Sequence, residues 1–165
     1  MPETAPRASP ANSWFIRTRS RAFHVWFRLV RPVTVGAQAM VLDEASRVFL
    51  VRHTYVPGWH FPGGGVEAGE TAGEAMAREL REEGNIELAA APLLHGLFFN
   101  DLYSRRDHVA LFVVRRFRQS SARSADREIA ETGFFPVANL PAGTTRAVRA
   151  RLAEVLDGAA VAARW

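Results

Sequence analysis

The chain has 165 residues, of which 48% are hydrophobic and 23% charged, a composition that suits one globular domain and excludes collagen-like or wholly disordered classes. It has no cysteine, which excludes disulfides, thiolate metal sites and cysteine nucleophiles. All 21 basic residues are arginine, which excludes every lysine mechanism. The net charge of +4 is uneven: residues 1–32 hold six arginines and one glutamate (+5), while the rest hold fifteen arginines and sixteen acids (−1).

The first twelve residues, MPETAPRASPAN, have no periodic pattern and read as a tail. SWFIRTRSRAFHVWFRLVRP follows, with Ser13 as a helix cap and Pro32 as a stop. On a helix Phe15, Phe23, Trp26, Phe27 and Val30 share one side. Such a helix packs on the domain or on a second subunit in a homodimer, or lies on an anionic membrane. Its arginines interrupt the apolar core that a signal peptide needs. No apolar run approaches the roughly 20 residues of a membrane span. The expected organisation is an N-terminal tail and helix over 1–31, a main domain over 32–158 and a C-terminal tail over 159–165. The expected location is cytoplasmic.

VTVGAQAMVLD reads as a strand, DEAS as a turn and RVFLVRHTY as the paired strand. VPGWHFPGGG is a loop dense in Pro and Gly, in which Trp59 and Phe61 are expected to pack. Thr71 to Glu83 reads as a helix, opened by the capping box Thr71-x-x-Glu74. LLHGLFFNDLY and HVALFVVRRF are two more strands around the turn SRRD. QSSARSAD is a loop, GFFPVANLP a short strand and turn, and TTRAVRARLAEVL a closing amphipathic helix. Strands without strict βα alternation around two helices predict an α/β domain with a mixed sheet covered on both faces.

On the 71–83 helix, successive residues turn about 100°. Glu79, Glu82 and Glu83 therefore share one face, beside the stripe of Met76 and Leu80. Like charges at these spacings cost about 0.2–0.5 kcal/mol per pair on an exposed helix. Arg78 and Arg81 offset part of that, and a hard divalent cation would offset it directly. The three glutamates alone fit a solvated acidic face better than a metal site.

The wider spacing distinguishes the two readings. Gly64, Glu70 and the run Arg78-Glu79-Leu80-Arg81-Glu82-Glu83-Gly84-Asn85-Ile86 resemble the Nudix box, G-x5-E-x7-R-E-U-x-E-E-x-G-U, with U a bulky aliphatic residue. Asn85 stands where the family has its late glycine. The position follows a helix and calls for a left-handed backbone, which Asn adopts next best after Gly. The strands, the GWHFPGGGVEAGE loop and the late EIAETGFFPVANLP also look like Nudix hydrolase sequence.

The resemblance implies a Nudix-type α/β/α sandwich and a metal-dependent hydrolase. Such an enzyme cleaves the pyrophosphate linkage of a nucleoside diphosphate joined to another group. Carried over by position, Glu79, Glu82 and Glu83 become ligands of Mg²⁺ or Mn²⁺ and the catalytic carboxylates, with the Gly64 carbonyl completing the shell. Glu70 and Arg78 hold loop and helix in register by pairing. The general base is Glu79, or Glu128 or Glu131 on a late loop of the kind some members use. Arg52, Arg105 and Arg106 are candidates for phosphate contact, and Tyr103 for substrate contact, as in some dinucleoside polyphosphate hydrolases of the family. His53, His60 and His108 show no zinc spacing.

The expected partner is a nucleotide-type small molecule, with no specific nucleic acid, since no such motif is present. A noncatalytic Nudix sensor is the alternative, although such domains usually lose carboxylates that this chain keeps. The isoprenoid isomerase branch depends on a cysteine that is absent here.

Overall fold

The computed structural model describes residues 32–102 and 104–165. The expected N-terminal tail and helix, and Tyr103, lie outside the described residues. In chain order the elements are β1 (Thr34–Val41), β2 (Arg47–His53), β3 (Gly63–Gly65), α1 (Ala72–Gly84), β4 (Ile86–Leu88), β5 (Leu93–Asn100), β6 (Asp107–Val114), β7 (Phe117–Gln119), β8 (Ile129–Pro136) and α2 (Arg146–Leu156).

The main sheet runs β3-β1-β6-β5, with β1 and β6 parallel from Thr34↔Asp107 to Val41↔Val114 and its other pairs antiparallel. It is therefore the mixed sheet the sequence predicts. β2 does not pair with β1 as the sequence predicts, apart from a single Leu42↔Val48 bridge, but with β8, and β4 pairs β7, each as an antiparallel ribbon. The sequence pattern does not reveal β3, which lies in the stretch read as a loop, nor β4 and β7. Three residues are too short a window for alternation to show.

Alternation along the strands builds two cores. Ala37, Ala39 and Val41 of β1 join Phe49 and Val51 of β2 under Ala75, Met76 and Leu80 of α1. The intervening Met40 joins Leu50, Leu111 and Val113 under Val148 and Leu152 of α2. Strand side chains point alternately to opposite faces, so one helix covers each face and the α/β/α sandwich follows. Trp59 and Phe61 are buried in the second core, as packing residues of their loop.

Residues beyond α2 run beside β5. Phe99 donates its N–H to the Ala163 carbonyl (3.0 Å), and Trp165 donates to that of Phe99 (3.0 Å). Arg151 and Glu154, both buried, secure this strap. The Arg151 guanidinium donates to the Arg164 carbonyl (2.9 Å) and pairs with Glu154 (2.5 Å), which also accepts from the Ala162 N–H (2.9 Å) and contacts His95 (2.9 Å). Each buried charge thus has a partner. Among the described residues no helix is long and apolar enough to cross a membrane.

Candidate active site

The site is built on α1 and the glycine strand that precedes it. The Thr71 hydroxyl accepts the Glu74 N–H (3.2 Å), and Glu74 accepts the Thr71 N–H (2.7 Å), so the capping box forms. At the other end Asn85 is left-handed, φ 52° and ψ 35°, and its N–H caps the Arg81 carbonyl. Met76 and Leu80 are fully buried and fix the rotation of the helix. Glu79 and Glu83 consequently face β3, while Glu82 stays exposed.

Each carboxylate has a different neighbourhood. Glu83 is 8% exposed, and its Oε2 accepts the Gly63 N–H (2.8 Å). Its Oε1 stands 3.7 Å from His53 Nε2. Glu79 Oε1 accepts from Arg78 (2.7 Å) and lies against Gly64. Glu82 reaches Arg78 more loosely, at 3.6 Å. Arg78 also pairs with Glu70 (2.9 Å) and donates to the Gly65 carbonyl (3.1 Å), tying the loop before the helix to the helix itself.

The cluster carries excess negative charge. Burial raises Glu83 to about 8, and Glu79, Glu82 and Glu128 push the same way against the Gly63 N–H. Burial likewise raises Glu79, which Glu82 and Glu70 reinforce and Arg78 opposes. Among the described residues no three His, Asp or Glu groups converge to hold an ion as they stand. Arg78 is hydrogen-bonded to Glu79 and the Gly63 N–H to Glu83, while Glu82 is largely exposed. The donor set still fits a hard divalent cation: all oxygen, with one guanidinium as the close counter-charge for several carboxylates.

The loops supply the remaining candidates. Arg52 is committed to Glu131 (2.7 Å), and both side chains are about half exposed. Glu128 instead lies at the end of β2 that carries His53, where Thr54 donates its N–H to the Glu128 carbonyl (2.9 Å), and its charge acts on Glu83, His53 and Tyr55. Of the two late carboxylates, it is the one not paired with Arg52. An open cleft of about 460 Å³ is lined by residues 52–58. Tyr55, 70% exposed, stands on it with its ring 5.3 Å from that of His53. Nothing in the sequence marks Tyr55 apart from other strand-end aromatics.

Among the described residues no bond joins Arg105 or Arg106 to the carboxylates. Both are exposed on the β5–β6 turn, where the Arg106 carbonyl accepts from Thr34. His60 bonds the Pro57 carbonyl (3.0 Å), and the ring of His108 lies against Phe99. Neither joins the carboxylate cluster.

The family model for the NUDIX domain matches residues 31–156. The chain belongs to the Nudix family. It is 36% identical over 103 residues to a putative mutator protein MutT4 of Mycobacterium tuberculosis, covering 60% of this chain and 41% of that protein. It is 48% identical over 50 residues to a putative 8-oxo-dGTP diphosphatase of Bacillus subtilis, covering 30% of this chain and 34% of the relative. The matched regions thus span about a third to two-fifths of those relatives. Among solved structures, a MutT NUDIX hydrolase from Burkholderia pseudomallei superposes with a TM-score of 0.64 at 24% identity, over 74% of this chain and 97% of that one. A NUDIX hydrolase from Nitrosomonas europaea gives 0.65 at 19% identity, over 76% and 90%. These two likenesses show the fold.

In this Nudix chain the departure from the box acquires a use. A glycine at position 85 would cap the helix but carry no side chain. Asn85 donates from Nδ2 to Ser121 Oγ (3.1 Å), and its carbonyl accepts the Ser120 N–H (3.2 Å). Gln119 donates to the Gly84 carbonyl beside it (2.8 Å). The end of the Nudix helix is thereby bonded to the start of the loop that leads to Glu128.

Proposed function

We propose that the chain hydrolyses the pyrophosphate linkage of a nucleoside diphosphate derivative, using Mg²⁺ or Mn²⁺ held by Glu79, Glu82 and Glu83 with the Gly64 carbonyl. The observation that carries this reading is the carboxylate cluster itself, partly buried and under-neutralised on one helix face beside an open cleft. When bound, the cation neutralises phosphate charge and lowers the pKa of water. The protein's own groups supply the rest. The Gly63 N–H orients Glu83, and Arg78 with Glu70 keeps the glycine strand in register with α1. Arg52 turns from Glu131 to phosphate, trading one charge-assisted bond for another. Glu128 takes the proton of the attacking water, since its charge acts on Glu83 and its side chain is exposed and unpaired with Arg52.

One relative's name supplies the first candidate substrate, and the substrates of Nudix hydrolases at large supply the others. 8-oxo-dGTP, ADP-ribose and a dinucleoside tetraphosphate, each with Mg²⁺ and with Mn²⁺, form the screen, with released phosphate or nucleotide as the readout. Metal-dependent turnover of one of them is expected. Tight nucleotide binding without turnover, in folded protein, would favour the noncatalytic sensor instead.

A further inference from the structure

We propose that Arg123 is a positioning residue that clamps the loop bearing Glu128 to the end of the carboxylate helix. The inference rests on the reading of Glu128 as the base. The guanidinium of Arg123 spans three acceptors: the Glu82 carbonyl on α1 (2.8 Å), the Ser124 carbonyl (3.0 Å) and the Asp126 carboxylate. Asp126 passes the restraint on. Its Oδ1 accepts the N–H of Glu128 (2.9 Å) and of Ile129 (2.8 Å). Just beyond β2, Thr54 donates its N–H to the Glu128 carbonyl (2.9 Å) and its hydroxyl to the Arg127 carbonyl (2.7 Å).

The backbone of Glu128 is therefore held on both sides, next to the residue that follows His53, while its side chain remains exposed. This division suits a base, which needs a fixed origin and a free carboxylate. The intervening residues, Ser120 to Ala125, are small or polar and mostly exposed, so packing does little to fix the loop. A planar guanidinium with several donors can bridge helix carbonyl, loop carbonyl and carboxylate together. A lysine ammonium on a flexible stem does not reproduce that fork. A residue 41 positions from Glu82 thus couples the ligand-bearing helix to the base-bearing loop.

A kinetic double-mutant cycle tests the coupling. Glu128→Gln is expected to lower kcat by roughly 10²–10⁴-fold, the span of general-base catalysis. Arg123→Ala should lower kcat by about 10-fold or more at nearly unchanged KM, and Arg123→Lys should recover only part. In the Glu128→Gln background, Arg123→Ala should cost almost nothing further. Losses that simply multiply would overturn the proposal, as would full kcat in Arg123→Ala. Full turnover in Glu128→Gln, with an active wild type, would remove the base assignment and the clamp's purpose together.

Hydrogen exchange on metal-free protein provides a readout separate from catalysis. The Glu128 and Ile129 amides should exchange faster in Arg123→Ala while those of α1 hold their protection. Unchanged exchange at both amides overturns the clamp even if the chain turns over none of the substrates, which would count against the proposed function alone.

Discussion

Gly64 lies so close to Glu79 that a Cβ built on the glycine would stand 2.3 Å from Glu79 Oε1. The obstacle is the end of a flexible side chain, so the carboxylate would yield and the sheet would not. Gly64→Ala is therefore expected to shift the melting temperature little while lowering turnover by roughly 10²-fold, the cost of misplacing a group by about 1 Å. Gly63→Ala should cost stability as well as turnover, because its N–H holds Glu83. Its Cβ would stand 2.2 Å from the Ala37 carbonyl of β1, at a φ of +148°. Backbone cannot move aside, so about 3 kcal/mol of stability should be lost. Urea unfolding beside steady-state kinetics separates the two. Normal turnover in a folded Gly64→Ala protein would remove Glu79 from the reaction.

The helix and its carboxylates were legible because their determinants are local. The capping box, the Met76 and Leu80 stripe and the three glutamates fall within thirteen residues, where helical periodicity alone assigns faces. The loop arrangement was not legible, because its determinants are distant contacts. Arg52 and Glu131 read separately as phosphate ligand and base, yet they pair across 79 positions. Glu128 and Glu131 look equivalent in DREIAETGFF, and only the pairing of β2 with β8 separates them. Arg123 sits in QSSARSAD, a stretch with no period, and gains its role from a carbonyl on α1. Tyr55 and the strap to β5 were missed for the same reason: neither has a repeating pattern to follow.

The left-handed turn at Asn85 gives an ordered series of stabilities. Asn85→Gly keeps the backbone, because glycine adopts φ of 52° without cost, and loses only the exposed bond to Ser121. A change of a few tenths of a kcal/mol is expected. Asn85→Ala loses the same bond and adds the left-handed penalty of about 1–2 kcal/mol. Urea unfolding of the three proteins should rank the alanine variant clearly last. An alanine variant as stable as the glycine variant would mean the turn is not left-handed in solution.

Glu83 and Glu87 separate a buried, functional carboxylate from an exposed one. Glu83 has its pKa raised from 4.5 to about 8 in the folded, metal-free protein. A raised carboxyl favours folding fully below its unfolded value, and that contribution is lost as pH climbs through the folded value. With a chelator present, wild type should lose stability steadily between pH 4.5 and about 8. Glu83→Gln stays neutral, so its melting temperature should pull ahead of wild type over that interval and keep a constant lead above it. Added Mg²⁺ should stabilise wild type far more than the variant, because a ligand stabilises only the form that binds it. Turnover of Glu83→Gln at saturating Mg²⁺ should fall by orders of magnitude. Glu87 is exposed on β4, in register with Arg118 across the ribbon. Glu87→Gln should cost no more than a surface cross-strand pair, about 0.2–1 kcal/mol, and leave turnover alone. Near-normal turnover in a Glu83→Gln protein of unchanged circular dichroism would remove the metal site from this helix face, leaving the three glutamates as solvated charge.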